Sequence, residues 1–136
     1  MAEHSPAVTK RLYEALDRCD LEALVGLCDP AVEVVAPPSL PWACGTRTGL
    51  VGAVDCFTRA FGMLERTRFS VTEMRPTGDD RMTVVGNWWG RVRDTGREFD
   101  VRFVHLWTFR HGMVVKAEVI IDSAGILRAF ESGAGP

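Results

Sequence analysis

The chain has 136 residues, of which 46% are hydrophobic and 25% are charged, and its formal net charge is −2. This length suits one domain with a core of its own, and the composition is typical of a folded globular chain. A small net charge without blocks of like charge argues against nucleic acid as a partner. The apolar runs are too short to cross a bilayer, and the N-terminus lacks a signal-peptide core, so we expect a cytoplasmic protein with no membrane partner.

The first half of the chain predicts three helices, one strand and one loop. Ser5 and Pro6 are typical of a helix start, and SPAVTKRLYEALDRC then carries one apolar face. Asp20 predicts the cap of a second helix, LEALVGLC, which ends at Asp29. AVEVVAP has the pattern of a strand, and PSLPWACGTRTG that of a loop. Apolar residues at helical spacing predict the third helix: Leu50, Val54, Phe57, Phe61 and Leu64.

The second half changes to a period of two, which predicts a long antiparallel meander. The expected strands are 68–76, 81–93, 98–110 and 113–122. A short helix, SAGILRAF, then closes the domain. Helices followed by a meander predict an α+β fold.

Four cysteines, Cys19, Cys28, Cys44 and Cys56, have no C-x-x-C spacing and no histidine near them in sequence, unlike a zinc site. We therefore expect no metal. Three of them fall on apolar helix stripes and are interpreted as buried hydrophobic residues. Cys44 lies in the loop, where a reactive thiol is the alternative to an inert one. Without an export signal, all four are expected to be reduced.

The turns predict which strand residues face each other. In RHGM, the two central residues suit a turn with positive φ at both positions, which pairs His105 with Glu118. In DTGR, we expect a three-residue loop with Gly96 in the left-handed conformation, which pairs Val85 with His105. A slip of one residue in either turn would exchange the two faces of a strand.

With this register, one face of the sheet mixes aromatic and titratable residues, as a ligand pocket does. Its members are Val85, Asn87, Trp89, Phe103, His105, Trp107, Lys116, Glu118, Ile120 and Asp122. The other face is almost wholly apolar: Val84, Gly86, Trp88, Val104, Leu106, Ala117, Val119 and Ile121. Three helices can cover only one face, so we expect the other to form a homodimer interface.

The candidate catalytic residues are His105, Glu118 and Asp122. A carboxylate beside an imidazole in an apolar pocket could move a proton near neutral pH, or the pair could only stabilise the sheet. Asp122 could act as an acid or base if Trp42 and Trp89 exclude water from it. The alternative is an N-cap of the last helix.

Six residues are expected to bind the substrate: Trp42, Asn87, Trp89, Phe103, Trp107 and Ile120. Trp42 could also serve only as packing, and Asn87 could only satisfy neighbouring backbone groups. Tyr13 is interpreted as a helix-surface or rim residue. Four arginines near one hairpin predict a solvated end, with binding of an acidic substrate as the alternative: Arg91, Arg93, Arg97 and Arg102.

Four segments carry a resemblance to a known superfamily: LYEALDRCDLEALVGLCDPAVEV, PWACGTRTG, TGREFDVRFVHLWTFRHGMVV and IIDSAGILRAF. The chain resembles the nuclear transport factor 2-like superfamily, and within it the SnoaL-like polyketide cyclases and the relatives of ketosteroid isomerase. The resemblance implies one domain over residues 1–136, with an ordered core over about 5–131. It also implies a cone of curved, mainly antiparallel sheet wrapped by three N-terminal helices around a pocket, with a short C-terminal helix.

The resemblance transfers only part of each catalytic site. The base of ketosteroid isomerase falls on Ala36 and its tyrosine donor on Leu12, while its protonated aspartate falls on His105. The acid/base aspartate of the SnoaL-like cyclases matches Asp122. The His-Trp pair that often precedes it is absent from KAEVIID, where Glu118 stands near the tryptophan position.

The sequence thus predicts a small-molecule enzyme that performs acid/base chemistry without a cofactor. Its reaction would be a cyclisation or an isomerisation of a hydrophobic, oxygenated substrate such as a polyketide. A ligand-binding or protein-interaction module with an inactive pocket is the alternative, which the apolar residues at 12 and 36 favour. Epoxide hydrolysis, with Asp and Asn positioning a water molecule, is a further alternative.

Overall fold

The computed structural model describes residues 5–42 and 45–131. The helices are α1 (Ser5–Arg18), α2 (Leu21–Gly26), α3 (Gly49–Met63) and α4 (Ser123–Phe130). The strands are β1 (Cys28–Val35), β2 (Thr46–Thr48), β3 (Leu64–Pro76), β4 (Arg81–Val92), β5 (Glu98–Arg110) and β6 (Met113–Ile121). No helix among the described residues is long and apolar enough to span a bilayer.

All six strands form one sheet in the order β2-β1-β6-β5-β4-β3. The last four strands form the predicted antiparallel meander, while β1 runs parallel to β6. The α+β prediction is therefore confirmed. Two local predictions are wrong: Cys28 begins β1 instead of ending a helix, and the loop contains the unpredicted strand β2.

Helix α1 buries a wider face than the sequence pattern predicts. Its buried residues include Thr9, Leu12, Tyr13 and Leu16, which follow the i, i+3, i+4, i+7 spacing of one helical face. The expected caps of the shorter helices are present, because Asp20 accepts a hydrogen bond from Ala23 N in α2. The predicted cap at Ser5 and the predicted loop thiol at Cys44 lie outside the residues whose side chains are described.

The β5–β6 turn is confirmed, but the predicted register beyond it is wrong. His111 and Gly112 both have positive φ, at 53° and 74°, as a two-residue turn of this type requires. A bulge at Val115 then adds one residue to β6 between the pairs formed by Phe109 and Thr108. His105 consequently pairs with Val119 instead of Glu118.

The β4–β5 connection shifts the other register by one residue. Gly96 has the expected positive φ of 71°, but the hydrogen bond from Val92 N to Arg97 O encloses four loop residues instead of three. His105 therefore pairs with Val84, not Val85. Since side chains alternate along a strand, the shift reverses the predicted faces of β4.

On the inner face, the residues of β5 are those expected, whereas the residues of β4 and β6 are those predicted for the opposite face. Phe103, His105 and Trp107 point inwards as predicted, together with Val84, Gly86 and Trp88 of β4 and Ala117, Val119 and Ile121 of β6. The predicted inward positions of Val85, Asn87, Trp89, Lys116, Glu118 and Ile120 are therefore wrong.

The outer face is not the apolar surface that the sequence predicts. Asn87 donates a hydrogen bond to Asp100 and accepts one from Arg102, at 3.2 and 2.8 Å. Trp89 donates its indole N–H to Glu98, which also pairs with Arg91 at 2.7 Å. The homodimer stays a prediction, and most of the apolar face on which it rests lies inside the domain.

The cysteines divide into two states. Cys19 and Cys28 are free thiols, and burial raises the pKa of Cys28 to about 11. Cys56 is disulfide-bonded, so the prediction of four reduced thiols is wrong. Spacing along the sequence could not predict this bond, because a disulfide depends on proximity in the fold.

Candidate functional site

An apolar cavity lies between the inner face of the sheet and the helices. Its volume is about 90 Å³, counted as the space that the centre of a water-sized sphere can occupy. Helices α1 and α3, the 40–42 loop and strands β1 and β3 to β6 all contribute residues to its wall. The wall includes Trp42, Phe61, Thr67, Trp88, His105 and Trp107.

A chain of three buried polar groups lies along this wall. Trp107 Nε1 donates a hydrogen bond to the Tyr13 hydroxyl at 3.0 Å. That hydroxyl lies 2.7 Å from His105 Nδ1. Tyr13 and His105 are only 6% and 7% exposed. Helix α1 thus supplies the middle member of the chain, and β5 supplies both ends.

The network determines the tautomer of His105. An indole N–H can only donate, so Trp107 leaves the hydroxyl hydrogen of Tyr13 in need of an acceptor. Among the described residues, His105 Nδ1 is the acceptor within hydrogen-bond distance. We therefore assign the neutral tautomer of His105 that carries its hydrogen on Nε2.

This Nε2–H group is available to a ligand. His105 lines the cavity, and its Nε2 has no hydrogen-bond partner among the described residues. A second polar group of the wall is occupied, because Thr67 Oγ1 accepts from Trp88 Nε1 and donates to Trp89 O. His105 therefore provides a directed donor in a largely apolar space.

Burial keeps the whole network neutral. It lowers the pKa of His105 from its ordinary 6.5 to about 3, and it raises the pKa of Tyr13 far above its ordinary value. The ring of His105 lies 4.2 Å from that of Phe103, centroid to centroid, and 5.8 Å from that of Phe69. At neutral pH, His105 is consequently a hydrogen-bond donor and not a cationic acid.

Glu118 does not act on His105 as the sequence predicts. It contributes to the wall of the cavity and is half-buried. However, it pairs with Leu106, on the face opposite to His105. Its position in β6 therefore alternates with those of Ala117 and Val119, which face inwards.

Asp122 lies outside the cavity and has its alternative predicted role, as the N-cap of the last helix. Its Oδ1 atom accepts a hydrogen bond from Gly125 N at 3.0 Å, so it is the N-cap of α4. The carboxylate is exposed and borders a surface depression with Arg97 and Arg128. The prediction that Trp42 and Trp89 exclude water from Asp122 is therefore wrong.

The six predicted substrate-binding residues divide into three groups. Trp42 and Trp107 line the cavity, and Phe103 lies behind His105. Asn87 and Trp89 belong to the outer polar clusters, and Ile120 is 50% exposed. The four hairpin arginines bond to nearby carboxylate, amide or carbonyl groups.

Tyr13 is the site residue that the sequence reasoning missed. The match of its neighbour Leu12 to the tyrosine of ketosteroid isomerase predicts a surface or rim position for Tyr13, and this prediction is wrong, because Tyr13 is buried. The signal that could have placed it is the spacing with Thr9, Leu12 and Leu16, which defines a single buried face.

No three side chains among His, Cys, Asp and Glu come close enough to bind a metal ion within residues 5–42 and 45–131.

The family model of the SnoaL-like domain matches residues 9–117 of the chain. The chain belongs to the SnoaL-like family. This result confirms the resemblance on which the predicted fold rests. No curated protein matches the chain.

Solved structures agree with this family. An NTF2-like protein from Burkholderia thailandensis is 26% identical, with a TM-score of 0.80 over 92% of this chain and 95% of its own. TerC, co-crystallised with polyporic acid, is 25% identical, with a TM-score of 0.84 over 95% of this chain and 99% of its own. IdmH from Streptomyces antibioticus, a proposed polyketide cyclase, shares the fold at 21% identity, with a TM-score of 0.75 over 92% and 96%.

Proposed function

We propose that this SnoaL-like protein binds a small, mostly apolar molecule through an oxygen atom and catalyses its isomerisation or cyclisation without a cofactor. The observation that carries the proposal is the 2.7 Å hydrogen bond between Tyr13 and His105 Nδ1. It holds His105 in the tautomer that presents Nε2–H to the cavity.

The proposed chemistry uses His105 as a polarising donor. When a proton leaves the carbon beside a carbonyl group, negative charge develops on the carbonyl oxygen. A fixed N–H in an apolar cavity stabilises that charge more than water does, because no reorganisation is needed and the local dielectric is low. Glu118 pairs with Leu106 on the face opposite to His105. We therefore assign the proton acceptor to a base that enters from solution, such as hydroxide or the buffer base.

The cavity limits the size of the reacting part. A water molecule needs roughly 10–15 Å³ by this measure, so about 90 Å³ accommodates a single ring and its substituent. The apolar wall favours an aryl ketone over a polar sugar or nucleotide. Since TerC was co-crystallised with polyporic acid, that compound is the second probe to test.

The test compares acetophenone with ethylbenzene, which has a similar shape but no oxygen. One hydrogen bond should make the ketone bind about twofold to tenfold more tightly in NMR titrations. His105→Phe, which removes the N–H donor and keeps a ring, should remove this preference. The matched control His111→Phe, in an exposed turn, should keep it. Equal affinity of both probes for the wild-type protein would refute oxygen recognition by His105.

Catalysis needs a separate measurement. We expect the wild-type protein to accelerate exchange of the acetophenone methyl protons with deuterium from heavy water, and His105→Phe to lose that acceleration. The second candidate function is a binding module without turnover, favoured by the outward orientation of Glu118 and the capping role of Asp122. Tight binding of the ketone without faster exchange would support that function instead.

Epoxide hydrolysis receives no support from the site. The aspartate and asparagine expected to position a water molecule, Asp122 and Asn87, both lie outside the cavity.

A further inference from the structure

A basic depression adjoins the apolar cavity. It lies where the end of α1, the start of β3 and the β4–β5 hairpin meet. Its wall contains four arginines, which we call the arginine rim: Arg18, Arg66, Arg68 and Arg93. Phe61, Leu64 and Thr67 line both the depression and the cavity. The two spaces therefore share part of their walls, and one ligand could contact both.

The charge of this depression differs from that of the whole chain. The four arginines face two carboxylates, Asp17 and Glu65, so the depression has a formal excess of two positive charges. The entire chain has a net charge of −2. A local excess of positive charge beside an apolar opening attracts an anion with an apolar end.

Structural roles account for only part of the rim. Arg93 donates to the carbonyl oxygens of Gly62 and Leu64, at 3.1 and 3.0 Å, which joins the hairpin to the end of α3. Arg18 lies at the C-terminus of α1, where a cation is favourable. Neither reason applies to the exposed Arg66, whose side chain has no hydrogen bond or ion pair among the described residues.

Arg68 acts electrostatically on a carboxylate, Asp17, that already accepts a backbone hydrogen bond. Asp17 accepts a hydrogen bond from Phe69 N at 2.7 Å. Its partial burial raises its pKa, while the Phe69 N–H and the charge of Arg68 act in the opposite direction. One carboxylate thus serves the backbone and Arg68 together. The guanidinium of Arg68 is exposed and retains donors for a ligand.

We infer that the arginine rim binds the carboxylate of a ligand whose apolar end occupies the cavity. This inference rests on the proposed function and specifies its substrate class as aryl or alkyl keto acids. Guanidinium groups suit this role because they bind carboxylates through two parallel hydrogen bonds. Arg66 and Arg68 supply the attraction, and Arg93 remains a structural element of the wall.

The test uses two probes that differ in one charge: benzoylpropanoate and its neutral amide, benzoylpropanamide. Calorimetric titration at low salt should show the carboxylate binding about threefold to tenfold more tightly than the amide. The double variant Arg66→Gln/Arg68→Gln should remove this preference and leave the affinity for the amide unchanged. The matched control Arg81→Gln/Arg110→Gln removes two exposed arginines elsewhere on the sheet and should keep it.

Every outcome bears on the inference. Equal binding of both probes by the wild-type protein would refute the arginine rim and leave cavity binding intact. Loss of the preference in the control variant as well would show general attraction between charges and would also refute it. If neither probe binds, the proposed function fails, and the inference fails with it. Weakening of the preference as salt rises is expected for an exposed charged site.

Discussion

Replacement of Tyr13 by phenylalanine tests the central hydrogen-bonded chain directly. The change removes one oxygen atom and keeps the ring, which packs at centroid distances of 5.9 Å from Phe69 and 6.1 Å from Phe103. The apolar contacts should therefore persist. What is lost is the acceptor of the Trp107 N–H and the donor to His105 Nδ1.

The expected cost follows from these two groups. A buried polar group left without a partner costs about 1–3 kcal/mol. Because His105 borders the cavity, a water molecule can satisfy part of its requirement. We therefore expect Tyr13→Phe to lower the free energy of unfolding by about 2–4 kcal/mol, which a domain of ordinary stability can tolerate.

Two measurements check this prediction. Urea unfolding followed by tryptophan fluorescence gives the change in stability. Nitrogen-15 NMR of the histidine rings identifies the protonated nitrogen of His105, which should be Nε2 in the wild-type protein and a mixture of both tautomers in Tyr13→Phe. Trp107→Phe is the control, because it removes the donor to Tyr13 and keeps the Tyr13–His105 bond.

Either of two results would refute the reasoning. Protonation of His105 on Nδ1 in the wild-type protein would mean that Tyr13 does not determine the tautomer. A loss of less than about 0.5 kcal/mol, with the tautomer unchanged, would mean that the hydroxyl contributes little to the buried network.

Three further predictions concern the same fold. The folded-state pKa of His105 is lowered to about 3, so below pH 6.5 the unfolded state takes up a proton that the folded state does not; unfolding titrations should show wild-type stability falling relative to His105→Gln by up to about 1.4 kcal/mol per pH unit as pH decreases from 6.5 towards 3. Asp122→Ala should cost about 0.5–2 kcal/mol in urea unfolding through loss of the α4 cap, without changing the affinity for acetophenone, and a parallel loss of ligand affinity would contradict the capping role. Gly86→Ala should destabilise the protein by more than about 1 kcal/mol in thermal unfolding, because the added Cβ would overlap the backbone carbonyl of Ser70 on β3, and an unchanged melting temperature would count against this close approach.

The sequence predicted the elements and the fold class well, because helix caps, turn glycines and periodicity are local signals. Asp20 caps α2, and His111-Gly112 forms the two-residue turn as expected. The family resemblance supplied the cone-shaped architecture, which local patterns cannot determine.

The faces of the sheet were harder to predict, for a physical reason that β4 illustrates. The segment VVGNWWG places Val84 and Trp88 on one face and Val85 and Trp89 on the other. Since each face of the strand carries a valine and a tryptophan, the hydrophobic pattern does not indicate which face is buried. Which face of β4 points inwards therefore depends on the length of the β4–β5 loop.

The bulge at Val115 is equally invisible in the sequence. The segment around it, MVVKAEVII, is compatible with an unbroken ladder, so nothing local indicates an extra residue. This one residue moved Glu118 to the outer face and separated it from His105. Tyr13 became the partner of His105 because α1 packs on the inner face of the sheet, a contact that strand pairing alone cannot predict.

The ends of the sheet carry a consequence for self-association. An edge strand exposes backbone donors and acceptors that can recruit strands from other molecules. One edge here is β2, only three residues long, and the other is β3, where Asp17 accepts from Phe69 N. Beyond that contact, β3 has a pairing irregularity between Val71 and Glu73 and an ion pair of Glu73 with Arg75. A short strand at one side and an irregular, charged strand at the other make both edges poor templates for amyloid-like growth.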